Sequence, residues 1–249
     1  MTPPLTRLFV LLASESDFAL VLRRGPSKQS ATLGWNRAND TFQLGQWLKG
    51  KIDFESCDLS PDGLYFLYEA LKYGGFYETR GRYTVLSRAP YLKKIQLWGP
   101  YAFGGVFCDS SCFRLNKNQE PTTFSLPALT PIETTTASNS RGFICGGVQG
   151  FRRERDGWTL QSDALRQLWR KSCGDWALFW STPDSYELRY EDDIVMSGQW
   201  QWADFDPPRN RLCFALDGQL WSVSLQPGAE PVMLHDFNAM RFEPRVAPY

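Results

Sequence analysis

Short strand-like runs, each set beside a turn signal, constrain this chain more than any other feature of its sequence. Phe18–Leu22, Tyr65–Tyr68, Trp176–Trp180 and Leu220–Leu225 are brief and rich in aromatic and aliphatic side chains, which suits a pleated, half-buried surface. Gly25-Pro26, Pro61-Asp62-Gly63, Pro183-Asp184-Ser185 and Asp217-Gly218 stand next to them and mark turns, because Gly tolerates positive φ and Pro fixes φ. The pattern predicts an all-β chain with one or two short helical decorations. The one helix it predicts is capped by Ser162. There Leu165, Leu168 and Trp169 fall at i, i+3 and i+4 before Gly174 ends the run.

A repeat underlies the strands. Asp58-Leu59-Ser60-Pro61 and Asp204-Phe205-Asp206-Pro207 share an Asp, an apolar residue, a polar acceptor and a Pro, and they lie 146 residues apart. That separation is three steps of about 49, close to the length of a propeller blade. Steps of this size pass near Asp17, Asp109 and Asp156, which predicts five units. The strand-like run Arg7–Leu12 is expected to complete the last of them, because a radial array closes by pairing one terminus with the other end's blade. A β-sandwich also uses short strands with regular turns and is the alternative. The chain is expected to be one domain, residues 1–249, with a Pro/Thr-rich loop insertion at about 120–142.

Composition removes several classes. The chain carries 27 basic and 27 acidic side chains, whereas a general polyanion binder shows a basic excess. An aromatic fraction of 15% argues against disorder. The longest apolar run, Leu8–Ala13, is far below the roughly 20 residues that span a bilayer. No signal-peptide pattern frames it, so a cytoplasmic location with reduced thiols is the expectation. No membrane partner is expected.

Leu59–Tyr68 resembles the strand–Ser-Pro-Asp-Gly–strand hairpin of WD40-like and TolB-like β-propellers, in which the Pro-Asp-Gly turn joins two strands of a blade. Asp204–Leu225 resembles it less closely, and the Gly-His…Trp-Asp signature of WD40 arrays is absent. The whole chain is similar to an uncharacterised family of bacterial proteins, through Val21–Lys28 and His235–Pro244. The resemblance implies a β-propeller and no particular activity.

Catalytic chemistry finds little footing. His235 is the one histidine, so no site can use two imidazoles, and a triad needs three converging groups. Cys108 and Cys112 form a C-x₃-C pair, yet structural zinc wants two such pairs, and the other cysteines, Cys57, Cys145, Cys173 and Cys213, are scattered. Small buried hydrophobes are the default for them. No catalytic residue, metal site or cofactor is expected.

One enzyme alternative remains, a carbohydrate-active, glycosidase-like propeller that gathers Asp58, Asp109 and Asp204 at its axis. An Asp before a turn more commonly accepts turn amides. The most pointed local feature is basic: Arg23, Arg24 and Lys28 on one turn, with Lys49 and Lys51 further on. Residues 1–124 hold 15 basic and 11 acidic side chains and the rest hold 12 and 16, which suits a local anion or acidic-partner site. These features predict a non-enzymatic protein–protein interaction module, a scaffold or accessory subunit of a bacterial complex whose partner is another protein. A nucleic-acid accessory role is the second alternative. Trp47, Trp98, Trp200 and Trp202 are the tryptophans least embedded in long apolar runs and so the first to test for exposure in such contacts.

Overall fold

Alternating short apolar strands and tight turns can satisfy their backbone groups only by pairing with their neighbours, and the chain does so five times over. The computed structural model describes residues 6–25, 28–71, 81–99, 101–117, 122–132, 147–162, 167–182 and 185–249. These residues form five separate antiparallel sheets, each built from strands consecutive in sequence. The chain is all-β, as its sequence predicts.

The first sheet is β1 (Arg7–Leu12), β2 (Phe18–Arg24), β3 (Ser30–Asn36) and β4 (Thr41–Leu48). The second is β5 (Lys51–Leu59), β6 (Tyr65–Leu71), β7 (Arg82–Arg88) and β8 (Lys94–Trp98). The third is β9 (Ala102–Asp109), β10 (Cys112–Lys117), β11 (Thr122–Ser125) and β12 (Pro131–Ile132). A helix, α1 (Gly147–Arg155), precedes the fourth sheet, which comprises β13 (Thr159–Ser162), β14 (Leu168–Cys173), β15 (Trp176–Ser181), β16 (Ser185–Tyr190) and β17 (Asp193–Gly198). The fifth is β18 (Trp202–Asp206), β19 (Arg211–Leu216), β20 (Gln219–Ser224) and β21 (Val232–Asp236). Among the described residues no helix is long and apolar enough to cross a membrane.

Three expectations change. Arg7–Leu12 is the first strand of the first sheet rather than the completion of the last. Its opening residues are tied to the β17–β18 link by a side chain instead: the Gln201 amide accepts from Leu8 N at 2.9 Å and donates to Thr6 O at 3.1 Å. The helix expected after Ser162 is strand β14, because Trp169 pairs across the sheet with Trp180, a partner that local spacing cannot reveal. Leu165 lies outside the described residues. Within the stretch expected to be loop, Thr122–Ser125 pairs with β10 and Phe124 stacks on Phe113 at 5.4 Å. Pro131-Ile132 pairs with β11 in turn, and 120–121 and 133–142 lie outside the described residues.

The chain divides into two compact units, 10–152 with 242–249, and 1–9 with 153–241. In the first, Leu67, Leu86, Phe107, Phe113, Leu115 and Phe124 form a core with Trp98 packed against it. Its successive first hairpins are linked turn to turn. Glu15 N donates to Pro61 O at 2.8 Å and Ser16 Oγ to Asp62 O at 2.9 Å. Ser110 Oγ in turn accepts from Asp62 N at 3.2 Å and donates to Glu15 Oε2 at 2.9 Å. In the other unit the core is strongly aromatic: Trp158, Trp169, Trp176, Trp180, Tyr186, Trp200, Phe205 and Phe214 pack together.

The sequence repeat has a structural counterpart. Leu59 pairs with Phe66 in the second sheet and Phe205 with Leu212 in the fifth. In each hairpin the turn ends on a left-handed residue, Gly63 at φ 81° and Asn210 at φ 48°. Asp58, Asp109 and Asp204 all lie at or near the end of the first strand of their sheet, whereas Asp17 precedes the second strand of the first sheet and Asp156 lies between α1 and β13. A second regularity concerns the last strands. In β4, β8, β17 and β21 one residue more than the partner strand supplies interrupts the ladder, opposite Ala31/Leu33, Leu86/Ser87, Leu188/Arg189 and Leu220/Trp221.

Candidate functional site: a basic end of the first sheet

The predicted cations sort into one that is buried and four that are not. β2 is buried along both faces, so Arg23 lies in the interior, 0% exposed. Its guanidinium donates to Gly25 O and lies 5.3 Å from the Trp47 ring centroid, and burial lowers its pKa. Arg23 is therefore a core residue, which corrects the expectation that the turn presents it to solvent. Arg24 faces the other way, half-buried, its guanidinium 5.2 Å from the Phe54 ring. Lys28 is exposed on the turn that follows, whose neck is closed by Gly25 N donating to Gln29 O at 3.1 Å. Pro26 and Ser27 lie outside the described residues.

Lys49 and Lys51 enter from the β4–β5 link, and one buried hydroxyl joins that link to the turn. Ser30 Oγ donates to Gly50 O at 3.1 Å and accepts from Ile52 N at 3.2 Å. A Cβ at Gly50 would stand 3.0 Å from Leu71 O, a tight contact that favours glycine here. Arg24, Lys28, Lys49 and Lys51 thus share one end of the first sheet. Aromatic rings back the cluster: Lys49 Nζ is 5.0 Å from the Phe242 ring, which is itself 5.9 Å from Trp47. Two carboxylates on the same segments are engaged elsewhere, Asp53 by Arg82 at 3.8 Å and Glu243 by Arg245 at 3.0 Å. Phe54 and Phe242 were not singled out from sequence. A ring beneath a cation is a contact between segments, and only the fold creates it.

Each of the three aspartates has hydrogen-bond partners, local ones for Asp109 and one from the preceding or following sheet for Asp58 and Asp204. Asp58, fully buried, accepts from Phe107 N at 2.7 Å. Asp109 accepts from Ser111 N at 2.6 Å, Ser111 Oγ at 2.6 Å and Cys112 N at 3.0 Å, and the Ser111 hydroxyl bond leads in holding its carboxyl below the usual range. Asp204 accepts from Lys171 Nζ at 2.6 Å and Phe205 N at 2.7 Å. Burial pushes its carboxyl up, and the Lys171 ammonium draws it part of the way back.

The remaining candidates have structural settings. His235 stands edge-on to Phe237, ring centroids 4.5 Å apart, with its pKa lowered by burial. The Asp236 carboxylate beside it is turned to Gln219 Nε2 at 2.9 Å and Asn238 N at 2.8 Å. Trp200 and Trp202 are buried and Trp47 and Trp98 half-buried, so none of these four tryptophans is fully exposed. Cys57 and Cys213 are buried, Cys173 is half-buried, and Cys145 lies outside the described residues.

No protein-family model matches the chain, and no curated protein matches it. Among solved structures, an uncharacterized protein of Listeria monocytogenes EGD-e aligns with 92% of this chain and 83% of its own, at 12% identity and a TM-score of 0.39. A functionally unknown protein of Desulfotomaculum acetoxidans DSM 771 aligns with 90% of this chain and 66% of its own, at 9% identity and a TM-score of 0.33.

Proposed function

We propose that this protein is a non-enzymatic interaction module, a five-bladed β-propeller whose basic end binds an acidic segment of a partner protein. The observation that carries the reading is the Ser30 hydroxyl, which fastens the β2–β3 turn to the β4–β5 link. It sets Arg24, Lys28, Lys49 and Lys51 together on a constrained frame. Cations held in place by rings and backbone lose less entropy on meeting an anion than mobile ones do, and a cluster of one sign speeds encounter with an acidic surface. The propeller architecture is supported by five consecutive antiparallel sheets and by the shared register of the Asp58 and Asp204 hairpins. Two large sheets packed face to face in a crystal structure would replace it with a sandwich. The bonds made by Asp58, Asp109 and Asp204 support structural roles over carbohydrate chemistry.

The test is capture of the partner by the tagged protein from its native host, with nuclease added to half of the lysate. Arg24→Glu with Lys28→Glu and Lys49→Glu is expected to abolish capture, while stability changes by under about 0.5 kcal/mol at each of the exposed Lys28 and Lys49. Wild-type capture is expected to weaken steeply with salt. Capture unaffected by the triple substitution removes this site, and a partner lost on nuclease treatment moves the reading to nucleic acid.

A further inference from the structure

The third sheet contains a pair of thiols that the proposed function does not use. Cys108 and Cys112 are not two positions of one straight strand, as their spacing first suggests. They flank the β9–β10 turn, one on each strand. Cys112 pairs with Asp109 and Phe113 with Phe107, so Cys108 is the extra residue of a β-bulge. In a regular ladder, Cys108 and Asp109 would face opposite sides of the sheet. Where two residues oppose one, the pleat is broken and strict alternation lapses. Cys112 Sγ donates to Asp109 Oδ2 at 3.5 Å and is also hydrogen-bonded to the Cys108 thiol. Cys108 is exposed and Cys112 half-buried.

The turn between the thiols is fixed before any chemistry occurs. Asp109 accepts both Ser111 donors and the Cys112 amide, while Ser110 is held by Asp62 N and Glu15. Two thiols already in contact on a rigid turn can bond without moving the backbone far, which a disulfide requires. Among the described residues no group of three or more His, Cys, Asp or Glu side chains is placed to hold a metal ion, so the pair is short of the four ligands that structural zinc takes.

We propose that Cys108 and Cys112 are a modification site, an accessible dithiol that closes reversibly into an intramolecular disulfide by exchange with a small-molecule disulfide such as glutathione disulfide. The exposed Cys108, as thiolate, attacks one sulfur of glutathione disulfide, forming a mixed disulfide and releasing one glutathione thiolate. Cys112 then loses its proton to solvent and attacks the Cys108 sulfur. This closes the Cys108–Cys112 bond and expels the second glutathione thiolate. Two protein thiols are oxidised and one glutathione disulfide is reduced to two glutathiones. The order follows exposure. It also follows acidity, because burial and the neighbouring Cys108 and Asp109 push the Cys112 thiol up to about 12, leaving it a poor first nucleophile.

The experiment equilibrates the reduced full-length protein with glutathione and glutathione disulfide in graded ratios, native and in urea, followed by acid quench, tryptic digestion and mass spectrometry. The tryptic fragment 95–114 carries these two cysteines and no other. The native protein is expected to show this fragment lighter by two hydrogens at ratios at least about tenfold more reducing than the urea-unfolded chain needs, about 30 mV in potential. In Cys112→Ser, one glutathione should remain on Cys108. Equal ratios in the two states would assign closure to chain proximity alone and overturn the proposal. A fragment that stays reduced, or that carries two glutathiones, would overturn it as well. Preferential glutathionylation of Cys112 in Cys108→Ser would reverse the order of attack.

Discussion

The hairpins that open the second and fifth sheets share a register but secure their turns by different chemistry. In the Asp58 hairpin the residue before proline is Ser60, whose hydroxyl donates to Asp62 Oδ1 at 2.5 Å and accepts from Tyr65 N at 2.8 Å. In the Asp204 hairpin that place belongs to Asp206, a fully buried carboxylate that accepts from Arg211 Nε at 3.0 Å. One turn is closed by a hydroxyl bonded to a carboxylate and a backbone amide, the other by a buried ion pair. The preceding aspartates differ in parallel. Asp58 reaches a backbone amide of β9, whereas Asp204 reaches the ammonium of Lys171 on β14. A repeat therefore conserves geometry while its members satisfy that geometry with different partners, and the ionic member carries the larger penalty when one partner is removed.

This contrast can be broken most forcefully at Asp206. Asp206→Ala leaves Arg211, 9% exposed, without its carboxylate, and should cost about 3 kcal/mol in urea unfolding. Ser60→Ala should cost about 2 kcal/mol, the worth of a hydroxyl bonded to a carboxylate, and equal losses at the two sites would refute the distinction.

Lys171→Met should cost about 2 kcal/mol near neutral pH, since the pair is not wholly excluded from water. The pH dependence has a definite sign. The Asp204 pKa is raised on folding, so its contribution is most favourable below the unfolded value, about 3.9, and falls as pH rises through the folded value. Removing the ammonium raises that pKa further. The penalty should therefore be small near pH 4 and grow toward pH 7 in unfolding curves recorded across this range, and a constant penalty would count against it.

The turns themselves give the smallest effects. Gly63→Ala puts a Cβ 3.0 Å from Phe18 at φ 81° and should lower stability by about 1.5 kcal/mol. Asn210→Gly, at φ 48°, should change it by under about 0.5 kcal/mol. Thermal melts of the two variants make the comparison directly.

How much of this was legible in the sequence depended on how local the determinant is. Turn chemistry is local, so the Ser60–Gly63 hairpin and its partner at Asp204 could be read directly, and with them the five-unit organisation. Burial of Arg23 is not local. Alternation normally tells inside from outside, but β2 is covered on both faces, and that information sits in other strands. Leu168 and Trp169 kept a helical spacing that cross-strand pairing with Trp180 overrode. For the basic end, Lys28, Lys49 and Lys51 stood out as charges. Their convergence rests on Ser30, a residue with no signature of its own. The thiols were visible as a pair, but the bulge that brings them together depends on how β9 registers against β10.

The extra residue in β4, β8, β17 and β21 has a bearing on how such a chain survives at high concentration. A sheet whose outermost strand is regular offers a row of unpaired amides and carbonyls on which another chain can template itself. β17 and β21 are open to that hazard, since Ile194, Val195, Val232 and Met233 are among the most exposed aliphatic side chains. A bulge puts two successive backbone groups out of phase with any straight strand, so an incoming segment finds partners for a residue or two and then loses register. The four interruptions shorten the stretch of regular edge on which fibrillar growth could start, and in β17 and β21 they do so on strands that carry exposed aliphatic side chains.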